Sequence, residues 1–325
     1  MIKLVIDMMG GDNGSKATVG GVKKFLNDIK DCEIVAVGNK EELKSLEGVD
    51  RVSIIESKDV VPMECSVMQA MRMKDSSVYK AVNAVLSEKA DGIVSSGSTG
   101  AFLSLTSLII KKIEGVSRPA LITPFPTKIA GKYVVLLDVG ASNENSAEEL
   151  FQFAKMGEAY YKVVYNKFDP NIYLISNGSE EGKGSPLMKE AYALLKSEEN
   201  FKGYIEGRYV FGGEADVVVM DGFTGNVFLK TSEGMAKLLS GMMKDAFTYS
   251  LSTKIGYLFA KKGFKKLKDT MDYKKVGGAL LLGVNTVAVK AHGNSNPDSF
   301  YHSIMIAYKL VKNEVVQNIK ESLAK

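Results

Sequence analysis

An α/β protein with a parallel or mostly parallel sheet beneath helical layers is the fold class this sequence predicts, and three observations predict it. Short apolar runs without polar alternation recur along the chain, as expected of strands buried on both faces. Segments of helical spacing alternate with these runs over almost the whole length. Several runs end in an acid or a serine followed by glycine, the chemistry of a strand handing over to a loop. In such folds ligands bind at the carboxyl ends of strands, where these glycine loops fall.

The elements follow in order. Residues 2–7 (IKLVID) read as a buried strand leading to Gly10-Gly11. Residues 18–29 place Val22, Phe25, Leu26 and Ile29 at helical spacing. Strands are expected at 33–37 (EIVAV) and 52–55, and at 91–94 (DGIV) before a serine-glycine loop and a helix over 101–113. Residues 133–138 (YVVLLD) form the next strand, and 147–165 a long helix. Residues 172–175 lead to Asn177-Gly178, and 216–220 (DVVVM) to Asp221-Gly222, with a helix from about Val227. No repeat and no linker-like stretch interrupts the pattern, so one compact unit of residues 1–325, with two intertwined lobes, is expected.

Composition narrows the function classes. A chain of 325 residues, 45% hydrophobic, can bury a large core. It contains no apolar run of membrane-spanning length, and its first residues lack the basic and apolar regions of a signal peptide. Lys and Arg number 42 against 38 Asp and Glu, a balance of +4 that is far from a dedicated nucleic-acid binder. The two cysteines, Cys32 and Cys65, make neither a disulfide framework nor a zinc cluster, and read as reduced core thiols of a cytosolic protein.

Several loops carry possible chemistry. Residues 95–101 (SSGSTGA) follow a strand and open a helix. They are either a phosphate cradle of backbone N–H groups or a tight turn with Ser and Thr caps. In 221–230 (DGFTGNVFLK), Thr224 or Asn226 can cap the coming helix, or Asn226 can donate to a ligand oxygen. Lys183, between glycines in 177–185 (NGSEEGKGS), either reaches a ligand or is simply solvated. His292 follows the glycine-rich 277–283 (GGALLLG) and is either an anion donor or a structural histidine. The dinucleotide fingerprint, the Walker loop, the zinc-protease helix and the serine nucleophile elbow are all missing. Anion-ready loops without a protein nucleophile suit a reaction in which phosphate itself attacks.

Residues 251–268 stand apart, with six lysines and no acid. Leu251, Ile255, Leu258 and Phe259 share one helical face, while Phe264, Leu267 and Met271 share another after Gly263. The glycine predicts two short helices or a kinked one. The apolar face either packs on the body or lies in a membrane interface.

The blocks IDMMGGD, SSGSTGA, SRPAL, LDVGAS, NGSEEGKG, DGFTGNVFLK with EG, and GGALLLG with AHG occur in this order from Ile6 to about Gly293. Together they resemble the bacterial phosphate acyltransferase (PlsX) family. That resemblance implies transfer of a fatty acyl group from acyl-carrier-protein to inorganic phosphate, giving acyl phosphate for phospholipid synthesis, with no cofactor and no metal. It implies a three-layer α/β/α sandwich similar to isocitrate and isopropylmalate dehydrogenases and to phosphotransacetylases. It also implies a cytoplasmic homodimer held peripherally on the inner face of the membrane through a projecting helical pair, here residues 227–272. Lys183 and Asn226 match the family's catalytic lysine and asparagine. Ser96, Gly97, Ser98, Thr99, Gly100, Thr224 and His292 are the expected phosphate-binding residues. Leu258, Phe259, Lys261, Lys262, Phe264, Lys265 and Lys266 are expected to touch an anionic membrane or the acidic carrier protein. The family pattern has Pro near Gly14 and Asn at Ser98 and Ser142, and it has no serine at Ser96. Serine for asparagine keeps hydrogen-bonding capacity at shorter reach. Two other readings are an acyl-CoA-dependent enzyme of phosphotransacetylase type and a membrane scaffold that binds carrier protein without chemistry.

Overall fold

The structure, a computed structural model, describes residues 1–271 and 278–324, with the backbone alone over 265–271. Strand β1 (Ile2–Asp7), helix α1 (Gly14–Asp28), β2 (Cys32–Gly38) and β3 (Val52–Glu56) open the chain. Helices α2 (Val67–Arg72) and α3 (Ser77–Ser87), strand β4 (Gly92–Ser95), helix α4 (Thr99–Leu105), and strands β5 (Ala120–Pro126) and β6 (Tyr133–Leu137) follow. Next come α5 (Ala147–Tyr165), β7 (Ile172–Ser176), α6 (Pro186–Leu195), β8 (Phe201–Glu206), β9 (Val217–Val219) and α7 (Gly222–Thr248). The chain closes with α8 (Leu251–Met271), β10 (Ala279–Leu282), β11 (Val287–Lys290), α9 (Pro297–Lys312) and α10 (Val315–Leu323).

All the strands join one 11-stranded sheet in the order β3-β2-β1-β4-β11-β10-β5-β6-β9-β7-β8. Strands β3, β2, β1, β4 and β11 run parallel to one another, and so do β6, β9, β7 and β8. Each pairing from β11 through β10 and β5 to β6 is antiparallel. The expected mostly parallel sheet is therefore two parallel sets running against each other.

The unbroken apolar runs have a packing cause. Alternate residues of one strand enter different cores. Leu4, Ile6, Ile34, Val135 and Leu137 face one core, and Val5, Val35, Val134 and Leu136 face the other. Phe25 of α1, Phe153 of α5 and Phe300 of α9 cover the first core. Val78 and Val82 of α3 and Phe102 of α4 cover the second. Complete burial of one such side chain is worth roughly 1.5–3 kcal/mol, so the helical layers and the sheet stabilise each other. Among the described residues, no helix is long and apolar enough to cross a membrane.

Three elements differ from the sequence reading. The helix expected over 101–113 ends at Leu105, and Thr106–Ile110 widen into a π-turn before Lys111 at φ 71. The β-branched Thr106, Ile109 and Ile110 crowd a regular helix there. Helix α7 starts at Gly222, earlier than expected, because Asp221 supplies its cap. Helix α8 runs through Gly263 without interruption, and the break falls at Tyr249 and Ser250 instead. There the Ser250 hydroxyl accepts from Thr253 N–H at 3.2 Å and starts the new helix.

Candidate active site

Strand β9 ends at Val219, and after Met220 the residue Asp221 turns the chain into α7. Its Oδ1 accepts from Thr224 N–H at 2.9 Å, and its Oδ2 accepts from the Thr224 hydroxyl at 2.6 Å. The cap is thus Asp221, and the Thr224 hydroxyl is committed to it. Asn226 is released from capping. Its side chain lies over Gly140, where an added Cβ would come within 3.2 Å of Asn226 Cβ. Gly225 has to be glycine, since a Cβ there would sit 1.8 Å from the Asp138 carbonyl oxygen. That close approach seats the helix start on the loop after β6.

The loop itself is organised by Asp138, which is completely buried. Its Oδ1 accepts from Leu121, Gly140 and Ala141 N–H groups at 2.9, 3.1 and 2.9 Å. Its Oδ2 accepts from Ser142 N–H at 3.0 Å and lies 2.8 Å from the Ser142 hydroxyl. Burial raises the carboxyl pKa, and these donors oppose the rise. Asn145 ties the loop to α7, with Oδ1 accepting Gly222 N–H at 3.0 Å. Its amide donates to Glu149 Oε2 at 2.9 Å, and Arg118 Nε donates to Glu149 Oε1 at 2.9 Å. Ser146 and Glu149 also form a capping box that opens α5. The arginine of the SRPAL block therefore steadies the start of α7 through Glu149 and Asn145.

Lys183 lies in the loop after β7. Gly184 N–H donates to Asn177 Oδ1 at 3.1 Å and closes this loop, and the Lys183 stem rests over Gly178. Strands β6, β9 and β7 are parallel neighbours. The Asp138–Ser142 loop, Asn226 and Lys183 therefore leave the sheet at one edge. Lys183 and Asn226 are exposed. Within the described protein, neither Lys183 Nζ nor the Asn226 amide has a hydrogen-bond or ion-pair partner. Two side chains able to donate to a ligand oxygen thus share an open edge.

The loops of the first parallel set pack on each other. A Cβ at Gly10 would lie 2.5 Å from Gly97 N, and Asp12 N–H donates to the Gly293 carbonyl at 2.8 Å. Ser96 donates to the Gly10 carbonyl at 2.8 Å, and Ser98 to the Met63 carbonyl at 3.2 Å. Ser98 also caps α4. Gly97 N–H points to Ser95 Oγ at 3.1 Å. These protons are spent inside the fold, so of the 96–100 loop Thr99 and Gly100 present the open side. His292 is half-buried, and its carbonyl accepts from Ser295 N–H and Oγ at 3.1 and 2.7 Å.

Farther along α7 and α8, apolar side chains remain uncovered. Leu251, Ile255, Leu258 and Phe259 are 77, 50, 67 and 87% exposed, so this face does not pack on the body of the chain. Lys261 and Lys262 are exposed beside it. Phe264 is placed differently. Its ring meets Phe247 of α7 edge-on at 4.5 Å, in the seam between the two helices. Lys265 and Lys266 have side chains outside the described residues. Cys32 is a core thiol, pushed up to about 12 by burial, whereas Cys65 is only half-buried. Among the described residues, no cluster of His, Cys, Asp and Glu is placed to hold a metal ion.

Sequence reasoning singled out Lys183 and Asn226 but not the frame that holds them. Asp138, Asn145, Glu149 and Arg118 are that frame. The Ser146-x-x-Glu149 spacing was a readable signal; the contacts of Glu149 with Arg118 and Asn145 were not.

Comparison with known proteins agrees with this architecture. A family model described as fatty acid synthesis protein matches residues 2–318. A phosphate acyltransferase of Wolinella succinogenes is 42% identical over 327 residues, covering 100% of this chain and 98% of the relative. One of Thermodesulfovibrio yellowstonii is 40% identical over 329 residues, covering 99% and 94%. The EutD phosphotransacetylase from Staphylococcus aureus shares the fold with a TM-score of 0.56 at 17% identity, over 95% of this chain and 94% of that one. A 4-hydroxythreonine-4-phosphate dehydrogenase from Klebsiella pneumoniae does so at 0.52 and 12% identity, over 95% and 99%. With a model spanning nearly its whole length and full-length relatives at about 40% identity, the chain belongs to the phosphate acyltransferase (PlsX) family of acyltransferases.

Proposed function

We propose that this acyltransferase takes a fatty acyl group from the thioester of acyl-carrier-protein and passes it to inorganic phosphate, releasing acyl phosphate for phospholipid synthesis. The observation that carries the reading is the pair of unpartnered donors, Lys183 and Asn226, on one edge formed by adjacent parallel strands. A phosphate oxygen attacks the thioester carbonyl carbon, and the C–S bond breaks as the carbonyl re-forms. The proton of monohydrogen phosphate ends on the departing thiolate, so the reaction balances without an enzyme nucleophile. Asn226 donates to the oxyanion of the tetrahedral intermediate, and Lys183 holds the phosphate. The frame on Asp138 and Asn145 keeps α7 from moving as charge develops, which is the condition under which a fixed donor is effective.

The uncovered face of α8 supports a peripheral role at an anionic membrane surface. Leu258 and Phe259 would enter the interface, with Lys261 and Lys262 meeting the headgroups. A homodimer and a cytoplasmic location belong to the same reading.

The test is to incubate purified protein with palmitoyl-carrier-protein and phosphate and trap acyl phosphate as its hydroxamate. Phosphate-dependent hydroxamate with release of carrier thiol is expected. Product from palmitoyl-CoA but not from the carrier protein would replace the donor. No product from either, with folded protein and intact substrates, would sink the reaction.

A further inference from the structure

Strands β1, β4 and β11 lie side by side and parallel, with Ile6 paired to Val94 and Val94 to Val289. The next step along each strand brings Asp7, Ser95 and Lys290 into one row at their carboxyl ends, with Lys290 in register with Ser95. All three point to the same face of the sheet, because Ile6, Val94 and Val289 face the opposite core. Ser95 confirms this by donating to Asp7 Oδ2 at 2.6 Å.

Lys290 is the unusual member. A lysine at the end of a core strand is 6% exposed, and its Nζ donates to the Ala291 carbonyl at 2.5 Å. No carboxylate of the described residues forms an ion pair with it within 4.0 Å. Asp7 and Asp12 attract its charge from β1 and from the following loop, and Lys230 repels it from α7. Phe228 and Leu229, the residues just before Lys230, pack on the same core that this row borders. Lys230 lies one helical turn beyond Asn226, so both fall on one face of α7. Lys230 also pairs with Glu233 Oε2 at 3.0 Å, and its ammonium, from the other parallel set of the sheet, lies near enough to the row for Lys290 to feel its charge.

We propose that Lys290 is a further substrate-binding cation of the active site, which with Lys230 holds the phosphate that attacks the acyl group. This rests on the acyl-to-phosphate reading above and adds a residue to it. Burial is the largest influence on Lys290 and brings its pKa down to about 8. A dianion arriving beside Lys290 relieves the repulsion from Lys230, and the buried surroundings of Lys290 strengthen the new contact. Near neutral pH Lys290 carries its proton and binds phosphate; above about pH 8 it loses the proton and the hold weakens. Phosphate is already the dianion in that range, so the weakening belongs to the protein.

The experiment measures the KM for phosphate and for acyl-carrier-protein between pH 7 and 9.5 in wild type, Lys290→Met, Lys290→Arg and Lys230→Met. Lys290→Met is expected to raise the KM for phosphate about ten- to a hundredfold, with the KM for the acyl donor unchanged. The wild-type KM for phosphate is expected to climb above pH 8, a climb absent in Lys290→Met and displaced upward in Lys290→Arg. Lys230→Met, at a surface position, is expected to raise the same KM more modestly. A second readout needs no turnover: phosphate should raise the wild-type Tm, and the rise should shrink in Lys290→Met. Equal rises in the KM of both substrates, a fall in kcat alone, or an undiminished phosphate-induced Tm rise would each overturn the assignment. If Lys290→Met does not fold, the Lys230→Met result decides, and an unchanged KM for phosphate there overturns it. Wild type that makes no acyl phosphate, yet still gains Tm with phosphate, would overturn the reaction and leave the anion site standing.

Discussion

A buried ammonium should cost this fold stability in a pH-dependent way, and Lys290 allows the cost to be isolated. Its pKa falls from 10.5 to about 8. At about 1.4 kcal/mol per pKa unit, that disfavours the charged form in the fold by roughly 3 kcal/mol. The unfolded chain binds more protons than the native one between the two values, so stability rises with pH across this window. The gain is complete above about 10.5 and gone below about 8. Between pH 7 and 9.5 it amounts to about 2 kcal/mol. Lys290→Met lacks the titration. Substitution also alters packing and removes the bond to the Ala291 carbonyl, but neither loss varies with pH. The comparison of slopes therefore isolates the charge. Urea unfolding of both proteins across this range, in buffers without phosphate, should show wild type gaining about 2 kcal/mol on the variant. Parallel curves, or wild type losing ground as pH rises, would refute the reasoning.

Asn226→Ala and Lys183→Ala should each fold normally by circular dichroism and lose on the order of a hundred- to a thousandfold in kcat; near wild-type turnover in both would remove them from the mechanism. Gly225→Ala drives a Cβ to 1.8 Å from a backbone oxygen that cannot swing away. It should lower Tm and abolish most turnover even though residue 225 touches no substrate, and a variant with wild-type kcat would show that the seat of α7 is unimportant. Phe259→Glu puts a carboxylate on the most exposed ring of α8. Binding to anionic phospholipid vesicles in flotation should disappear while turnover without vesicles persists, and retained flotation would exclude this face as the contact. Activity should survive EDTA, measured by the same hydroxamate trap.

The strands were readable in the sequence because burial on both faces removes polar alternation, as at residues 2–7 and 133–137. Their directions were not, since an apolar run carries no arrow. The antiparallel β10 and β5, which set the two parallel groups against each other, therefore emerge only in three dimensions. Asn226 and Lys183 stood out through their glycine-rich surroundings. The Ser96 and Ser98 hydroxyls stood out for the same reason, yet the fold spends both protons on the Gly10 and Met63 carbonyls. Sequence spacing cannot tell a donor aimed at a ligand from one aimed at a carbonyl many residues away. Lys290 was legible in principle, as a charge at the end of the apolar run VAVKA.

The distribution of satisfied and unsatisfied groups separates frame from site. Around α7, Asp138 collects the loop N–H groups, Asp221 takes the Thr224 donors, and Asn145 takes Gly222 N–H. Such a network holds one geometry because breaking any bond leaves a buried polar group without a partner. Within this fixed setting Lys183 and Asn226 keep their donors for something outside the chain. Lys290 follows the same logic from the other parallel set of the sheet. A fold selected for stability alone would place an apolar residue at that strand end, where neighbours such as Val289 and Ala291 are buried. Retaining an ammonium there is a standing cost that an arriving anion offsets. The row of Asp7, Ser95 and Lys290 thus has the energetics of a site that is incomplete without its ligand.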